Sequence, residues 1–146
     1  MSTLDVYLRA RPIGMLSQSE RGRDYAFEYD REVAAASPGE PLLSVSLPCR
    51  PQPFESDAAR PFFEGLLPEG EIRERIARDI KVSSSNSFEL LAKLGRDCAG
   101  AVVVLPNGER LDRSGQIEWL AHDELAELIE RLPTAPLGVT GRSRLR

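Results

Sequence analysis

Arg60-Pro61-Phe62-Phe63-Glu64-Gly65-Leu66-Leu67-Pro68-Glu69-Gly70 sets two aromatics and two leucines between two prolines. Phe62, Phe63, Leu66 and Leu67 stand at i, i+1, i+4 and i+5, which on a helix is one broad apolar face. Pro61 suits the first turn of a helix, where a missing N–H would be unpaired in any case. Pro68 stops the helix by disfavouring helical backbone in the residue before it. So short a helix is not stable alone and must dock against something. Two readings follow: a core helix, or a face that receives a second domain or a partner chain. No group in the stretch stands out as a catalyst.

Towards the C-terminus, residues 70–80 read as a second helix with Ile72, Ile76 and Ile80 as its buried stripe. Asn86 and Glu89 resemble a capping box. It would open a third helix with Phe88, Leu90, Leu91 and Leu94 inside and Gly95 as its C′ residue. The apolar run over 101–105 is a short buried strand. Pro106-Asn107-Gly108 predicts a hairpin turn with a brief return over 109–111. A further strand is expected over 116–120, with Trp119 in the core. A last helix is expected over 123–132, with Leu125, Leu128, Ile129 and Leu132 on one face. Residues 134–146 have no core of their own and read as a mobile tail, leaving residues 1–133 as the domain.

Towards the N-terminus, the alternation Leu4, Val6, Leu8 marks a strand, residues 13–18 its return, and Tyr25, Phe27, Tyr29 a third strand. Together they make an antiparallel meander. Residues 31–36 are weakly helical. Residues 42–47 alternate Leu43, Val45 and Leu47 and read as another strand. Three prolines between 48 and 53 require an extended connector, after which Ser56 or Asp57 would cap the opening helix. The fold class is α+β: an antiparallel sheet, meander plus later hairpin, packed with about four short helices.

With 146 residues the chain can bury a real core. Its formal net charge of −4 argues against a general nucleic-acid-binding face. No apolar run is long enough to span a membrane, and the first residues lack a secretory signal pattern, so a cytoplasmic protein is expected. Cys49 and Cys98 are too few for a disulfide framework or a zinc site, and His122 is the only histidine. No metal and no cofactor is expected.

Gly95-Arg96-Asp97-Cys98-Ala99-Gly100 is the most reactive-looking stretch. As a nucleophile site it is weak, because Cys98 has no histidine nearby in sequence and a thiol needs its pKa lowered to react. As a phosphate cradle it has the wrong order, helix then strand. It reads instead as a helix-to-strand corner in which Arg96 and Asp97 tie the loop down and Cys98 packs as a small apolar residue. Glu64, Glu69, Glu71 and Glu74 lie among Arg60, Arg73 and Arg75, a pattern of solvated pairing rather than of acid–base chemistry.

The order of these pieces resembles the N-terminal subdomain of the HipA family, the serine/threonine kinase toxins of bacterial toxin–antitoxin systems. Leu4-Asp5-Val6-Tyr7-Leu8 with Arg11-Pro12-Ile13-Gly14 is similar to the family's opening hairpin. Phe62-Phe63-Glu64-Gly65-Leu66-Leu67-Pro68-Glu69, and Phe88-Glu89-Leu90-Leu91 followed by Leu94-Gly95-Arg96-Asp97-Cys98-Ala99-Gly100, are the most specific matches. The resemblance implies a non-catalytic module that contacts a HipA-like kinase core, in cis or in trans, and a HipB-like helix-turn-helix antitoxin, reaching DNA only through that antitoxin. Its candidate contact residues are Phe62, Phe63, Leu66, Leu67, Glu69, Arg96 and Asp97. Arg142, Arg144 and Arg146 are candidates for touching DNA phosphate. The family's phosphate loop, ATP-binding lysine and catalytic aspartate are not among these residues, so the chain alone is expected not to be a kinase. A free-standing, antitoxin-like subunit that restrains a separately encoded kinase is the alternative.

Overall fold

The alternating apolar residues of the N-terminus form three consecutive strands. The computed structural model describes residues 2–19, 24–98, 101–111 and 119–131. Strand β1 (Ser2–Leu8), β2 (Arg11–Gln18) and β3 (Tyr25–Tyr29) make the antiparallel meander. The β1–β2 turn places Arg9 and Ala10 at φ 48° and 64°, the left-handed geometry of a tight hairpin, without the Asn-Gly that usually marks it. Ile13 is the extra residue of a bulge, since Val6 pairs with Gly14 and Tyr7 with Pro12.

The fourth strand, β4 (Val102–Pro106), lies antiparallel to β1, with Val6 opposite Val104 and Leu4 opposite Pro106. The sheet order is β3-β2-β1-β4. Asn107 and Gly108 do turn the chain, with the Glu109 N–H donating to the Pro106 carbonyl at 2.9 Å. The expected return strand over 109–111 does not form. The β1 side of β4 is filled by a strand about a hundred residues earlier, and the corner that follows the fourth helix packs beside β4.

Five α-helices are described: α1 (Arg31–Ala36), α2 (Ser56–Glu64), α3 (Gly70–Asp79), α4 (Ser87–Leu94) and α5 (His122–Arg131). One apolar face of the sheet, carrying Leu4, Val6, Leu16, Phe27 and Val104, is buried with the inner faces of α2 and α4. Phe27 is the hub. Its ring centroid lies 4.8 Å from Tyr29, 5.3 Å from Phe63 and 6.5 Å from Phe54. Phe54 and Phe27 also exchange backbone hydrogen bonds of 2.7 and 2.9 Å, which covers the outer edge of β3.

Several expectations are corrected. Residues 42–47 are not a strand. They form turns with one Ser44–Leu47 bridge, leaving Leu47 buried and Val45 86% exposed. Paired bonds between Gly39, Glu40 and Cys49 close this segment on itself, so it never reaches the sheet. Helix α2 opens at Ser56, not at Pro61, which sits inside it. Its N-cap is Glu55, and the Ser56 hydroxyl instead accepts the Tyr25 N–H at 3.2 Å. In α3, Ile76 is buried and Ile80 partly buried, but Ile72 is 53% exposed. Gly95 has φ −61°, so it is not a left-handed C′ residue. The Asn86 cap is as expected, its Oδ1 accepting the Glu89 N–H at 3.2 Å.

The chain divides into two compact units, Met1–Leu111 and Asp112–Arg146. In the second, α5 matches the expected last helix, but Trp119 and Leu120 are not in a strand and Trp119 is not core: it is 90% exposed. Residues 116–118 of that expected strand, Leu132, and the tail 134–146 lie outside the described residues.

Candidate partner-contact site

The stretch from Phe62 to Glu69 does not present one continuous apolar face to solvent. Helix α2 ends at Glu64, and Leu66 and Leu67 fall in the turn that follows. Phe63 is fully buried and Leu67 nearly so, while Phe62 and Leu66 pack on the core with part of their surface open. The Phe62 and Phe63 rings meet edge to face at 5.1 Å. The core reading therefore holds for Phe63 and Leu67, and what remains for a partner is the half-open pair Phe62 and Leu66. Glu69 is exposed beside them as the N-cap residue of α3.

Near this pair in the chain, charged residues of α2 and α3 converge on a serine of α4. Arg60 Nε donates to Glu64 Oε1 at 2.9 Å, and the buried Ser87 hydroxyl donates to the same oxygen at 2.6 Å. Arg73 donates twice, through Nη2 to Ser87 Oγ and through Nε to the Ser84 carbonyl, both at 2.7 Å. One carboxylate oxygen thus joins α2 to α4, and one guanidinium joins α3 to both α4 and the loop before it. Burial by itself would raise the Glu64 carboxyl. The Ser87 hydroxyl and the Arg60 and Arg73 charges outweigh it and hold the group below the usual carboxylate range. Tyr25, edge to face with Phe88 at 5.7 Å, has its phenol pushed up by burial and by the Glu64 charge.

This arrangement locks elements together, because each charge faces an opposite charge or a hydrogen-bond partner. The i,i+4 spacing of Arg60 and Glu64 was visible in the sequence. Tyr25, Ser87 and Ser84 were not, because nothing local places them beside Glu64.

Arg96 and Asp97 belong to a different place. They form a 3-10 turn with Gly95 between α4 and β4. Arg96 ties that corner down as expected, through an ion pair with Glu109 at 2.9 Å, and Cys98 packs partly buried against the core. The side chain of Asp97 and residues Arg142, Arg144 and Arg146 lie outside the described residues. His122 is exposed at the start of α5. Among the described residues no group of three or more His, Cys, Asp or Glu could hold a metal ion, and no helix is long and apolar enough to cross a membrane.

Comparison with known proteins places this fold. The family model described as the HipA N-terminal domain matches residues 4–105. A Sinorhizobium fredii protein named "Putative kinase Y4mE" is 36% identical over 98% of this chain and 34% of its own length. An uncharacterized protein of Haemophilus influenzae is 32% identical over 68% of this chain and 87% of its own length. Among solved structures, the Shewanella oneidensis complex of HipA, HipB and operator DNA matches with a TM-score of 0.65 at 25% identity, over 98% of this chain and 33% of the matched one. A structure described as the N-terminal domain of HipA toxin matches 75% of this chain and 96% of its own, with a TM-score of 0.54 at 27% identity. The chain spans about a third of the length of the Sinorhizobium and Shewanella proteins.

Proposed function

The chain belongs to the HipA N-terminal domain family, and on that premise we propose that it is a non-catalytic contact module of a HipA-like serine/threonine kinase toxin. The observation that carries this reading is the family match across the whole sheet and α1 to α4. Phosphoryl transfer needs a phosphate cradle, a metal and a catalytic aspartate acting together, and the relatives with kinase names extend well beyond the region they share with this chain. The module's work is to hold protein partners. They are a HipA-like kinase core, in cis or in trans, and a HipB-like helix-turn-helix antitoxin through which DNA is reached indirectly. The Shewanella assembly, which contains HipA, HipB and operator DNA, supports that set of partners. Phe62, Leu66 and Glu69 on one side, and Arg96 with Asp97 on the other, are the contact residues this reading retains. Three arginines at 142, 144 and 146 would add only a weak, salt-sensitive attraction to phosphate.

A second reading is favoured by one specific observation: the Haemophilus protein is matched over 87% of its own length. In a relative of that size the module stands nearly alone. A free-standing, antitoxin-like subunit that binds and restrains a separately encoded kinase fits such a chain. Mixing this chain with a HipA-type kinase lacking its own N-terminal domain tests both readings. Complex formation at micromolar concentration is expected, with loss of autophosphorylation only under the second. No complex at those concentrations overturns both.

A further inference from the structure

The first unit, Met1–Leu111, closes a core of its own. Its hydrophobic cluster runs from Leu4 on β1 to Val104 on β4 and takes in Ala34, Phe63, Ala77 and Leu91, one from each of α1 to α4. Three contacts tie the last residues of the unit back to its body. The Asn107 N–H donates to the Thr3 carbonyl at 3.3 Å, the Gly108 N–H donates to Asp5 Oδ2 at 3.3 Å, and Glu109 pairs with Arg96 at 2.9 Å. Among the described residues nothing after Leu105 is buried. Helix α5, in the second unit, has ten residues, fewer than the roughly 12–15 that an isolated helix needs to persist in water. A chain the length of the first unit is well above the roughly 40 residues below which a fold usually needs disulfides, metals or oligomerisation.

We propose that the first unit is a self-sufficient contact module, which folds and binds its kinase partner without the second. The binding half rests on the reading given under Proposed function and narrows it to residues 1–111. Two independent observations carry the inference. The contacts at 107–109 pin the chain where the core ends, so the unit is closed by its own residues. The comparisons divide at about the same place. The Haemophilus relative matches 68% of this chain but 87% of its own length, the solved N-terminal domain of HipA toxin matches 75% and 96%, and the family model stops at residue 105. Those two chains consist of little more than the region they share with this one. Phe62, Leu66, Glu69, Arg96 and Asp97, the contact residues retained above, all belong to the first unit, so losing the second removes none of them. The proposed boundary lies ahead of the one expected at 133 because α5 adds no buried side chain among the described residues.

The test starts from the full 146-residue chain. Chymotrypsin cuts after large exposed aromatics, and Trp119 is 90% exposed. Brief digestion should leave a fragment ending at Trp119, which lacks α5. Its urea midpoint and slope should equal those of the full chain within about 15%. Its affinity for a HipA-type kinase lacking its own N-terminal domain should match that of the full chain within about threefold. In the undigested chain, amides of α5 should exchange at least about tenfold faster than those of β1, because the two units open separately. No surviving fragment, a lower midpoint, or protection of α5 equal to that of β1 overturns the folding half. A larger loss of affinity in a fragment that melts like the full chain overturns the binding half alone. If the full chain itself does not bind, the functional reading falls and the binding half with it, while the melts and the exchange pattern still decide the folding half.

Discussion

Gly95 and Val104 approach so closely that a Cβ on Gly95 would lie 2.4 Å from the Val104 carbonyl oxygen and 2.8 Å from the Val104 Cβ. The corner that ends α4 rests directly on the edge strand of the sheet. Backbone atoms cannot yield as a flexible side chain does, so Gly95→Ala must push the corner off β4. A loss of about 1–3 kcal/mol is expected, read as a lower urea midpoint with an unchanged slope.

Ser87 links two charges that otherwise lack that bridge, accepting from Arg73 and donating to Glu64. Ser87→Ala should cost about 1 kcal/mol. The Glu64 carboxyl is held below its ordinary value, so its contribution is present above the unfolded pKa of about 4.3 and is lost as pH falls through the lower folded value. Acid titration of stability should therefore be flatter in Ser87→Ala than in the parent, measured as urea midpoints from neutral pH down to about pH 3, spanning that unfolded value.

Tyr29 donates its hydroxyl to the Leu47 carbonyl at 2.7 Å inside the core, and burial pushes its phenol up to about 12. The unfolded phenol ionises near 10. Its stabilising contribution is thus full below about pH 10 and declines as pH rises towards the folded value. Tyr29→Phe should lose about 1 kcal/mol at neutral pH and lose less than the parent between neutral and strongly alkaline pH, in thermal melts across that range.

Phe63 and Phe62 are neighbours with opposite expectations. Phe63→Ala empties the fully buried position beside Phe27 and should cost about 3–5 kcal/mol. Phe62→Ala should cost distinctly less, because part of that ring already meets solvent. Denaturant melts of the two variants decide whether this stretch is chiefly core.

The elements that were legible in the sequence are those with a local cause. Leu4, Val6 and Leu8 alternate, as do Tyr25, Phe27 and Tyr29, and the Asn86–Glu89 spacing announces a helix start. Alternation also misled at 43–47, where apolar spacing matched a strand but the segment closed on itself through Gly39, Glu40 and Cys49. The pairing of β4 with β1 spans about a hundred residues and leaves no local mark, so the Pro-Asn-Gly turn suggested a nearer partner that does not form. At the candidate site, Arg60 and Glu64 were visible as neighbours on one helix. Ser87, Arg73 and Tyr25 reach them only through tertiary packing. Gly95 was recognised as special for the wrong reason: it needs the absence of a side chain, not a left-handed backbone.

The central claim is that this module contacts a kinase without being one. Purified 146-residue chain incubated with radiolabelled ATP, magnesium and a protein substrate tests it most directly. The account predicts no transfer of label above a protein-free blank. Label appearing on the chain or on the substrate, in proportion to the amount of chain added, would contradict it.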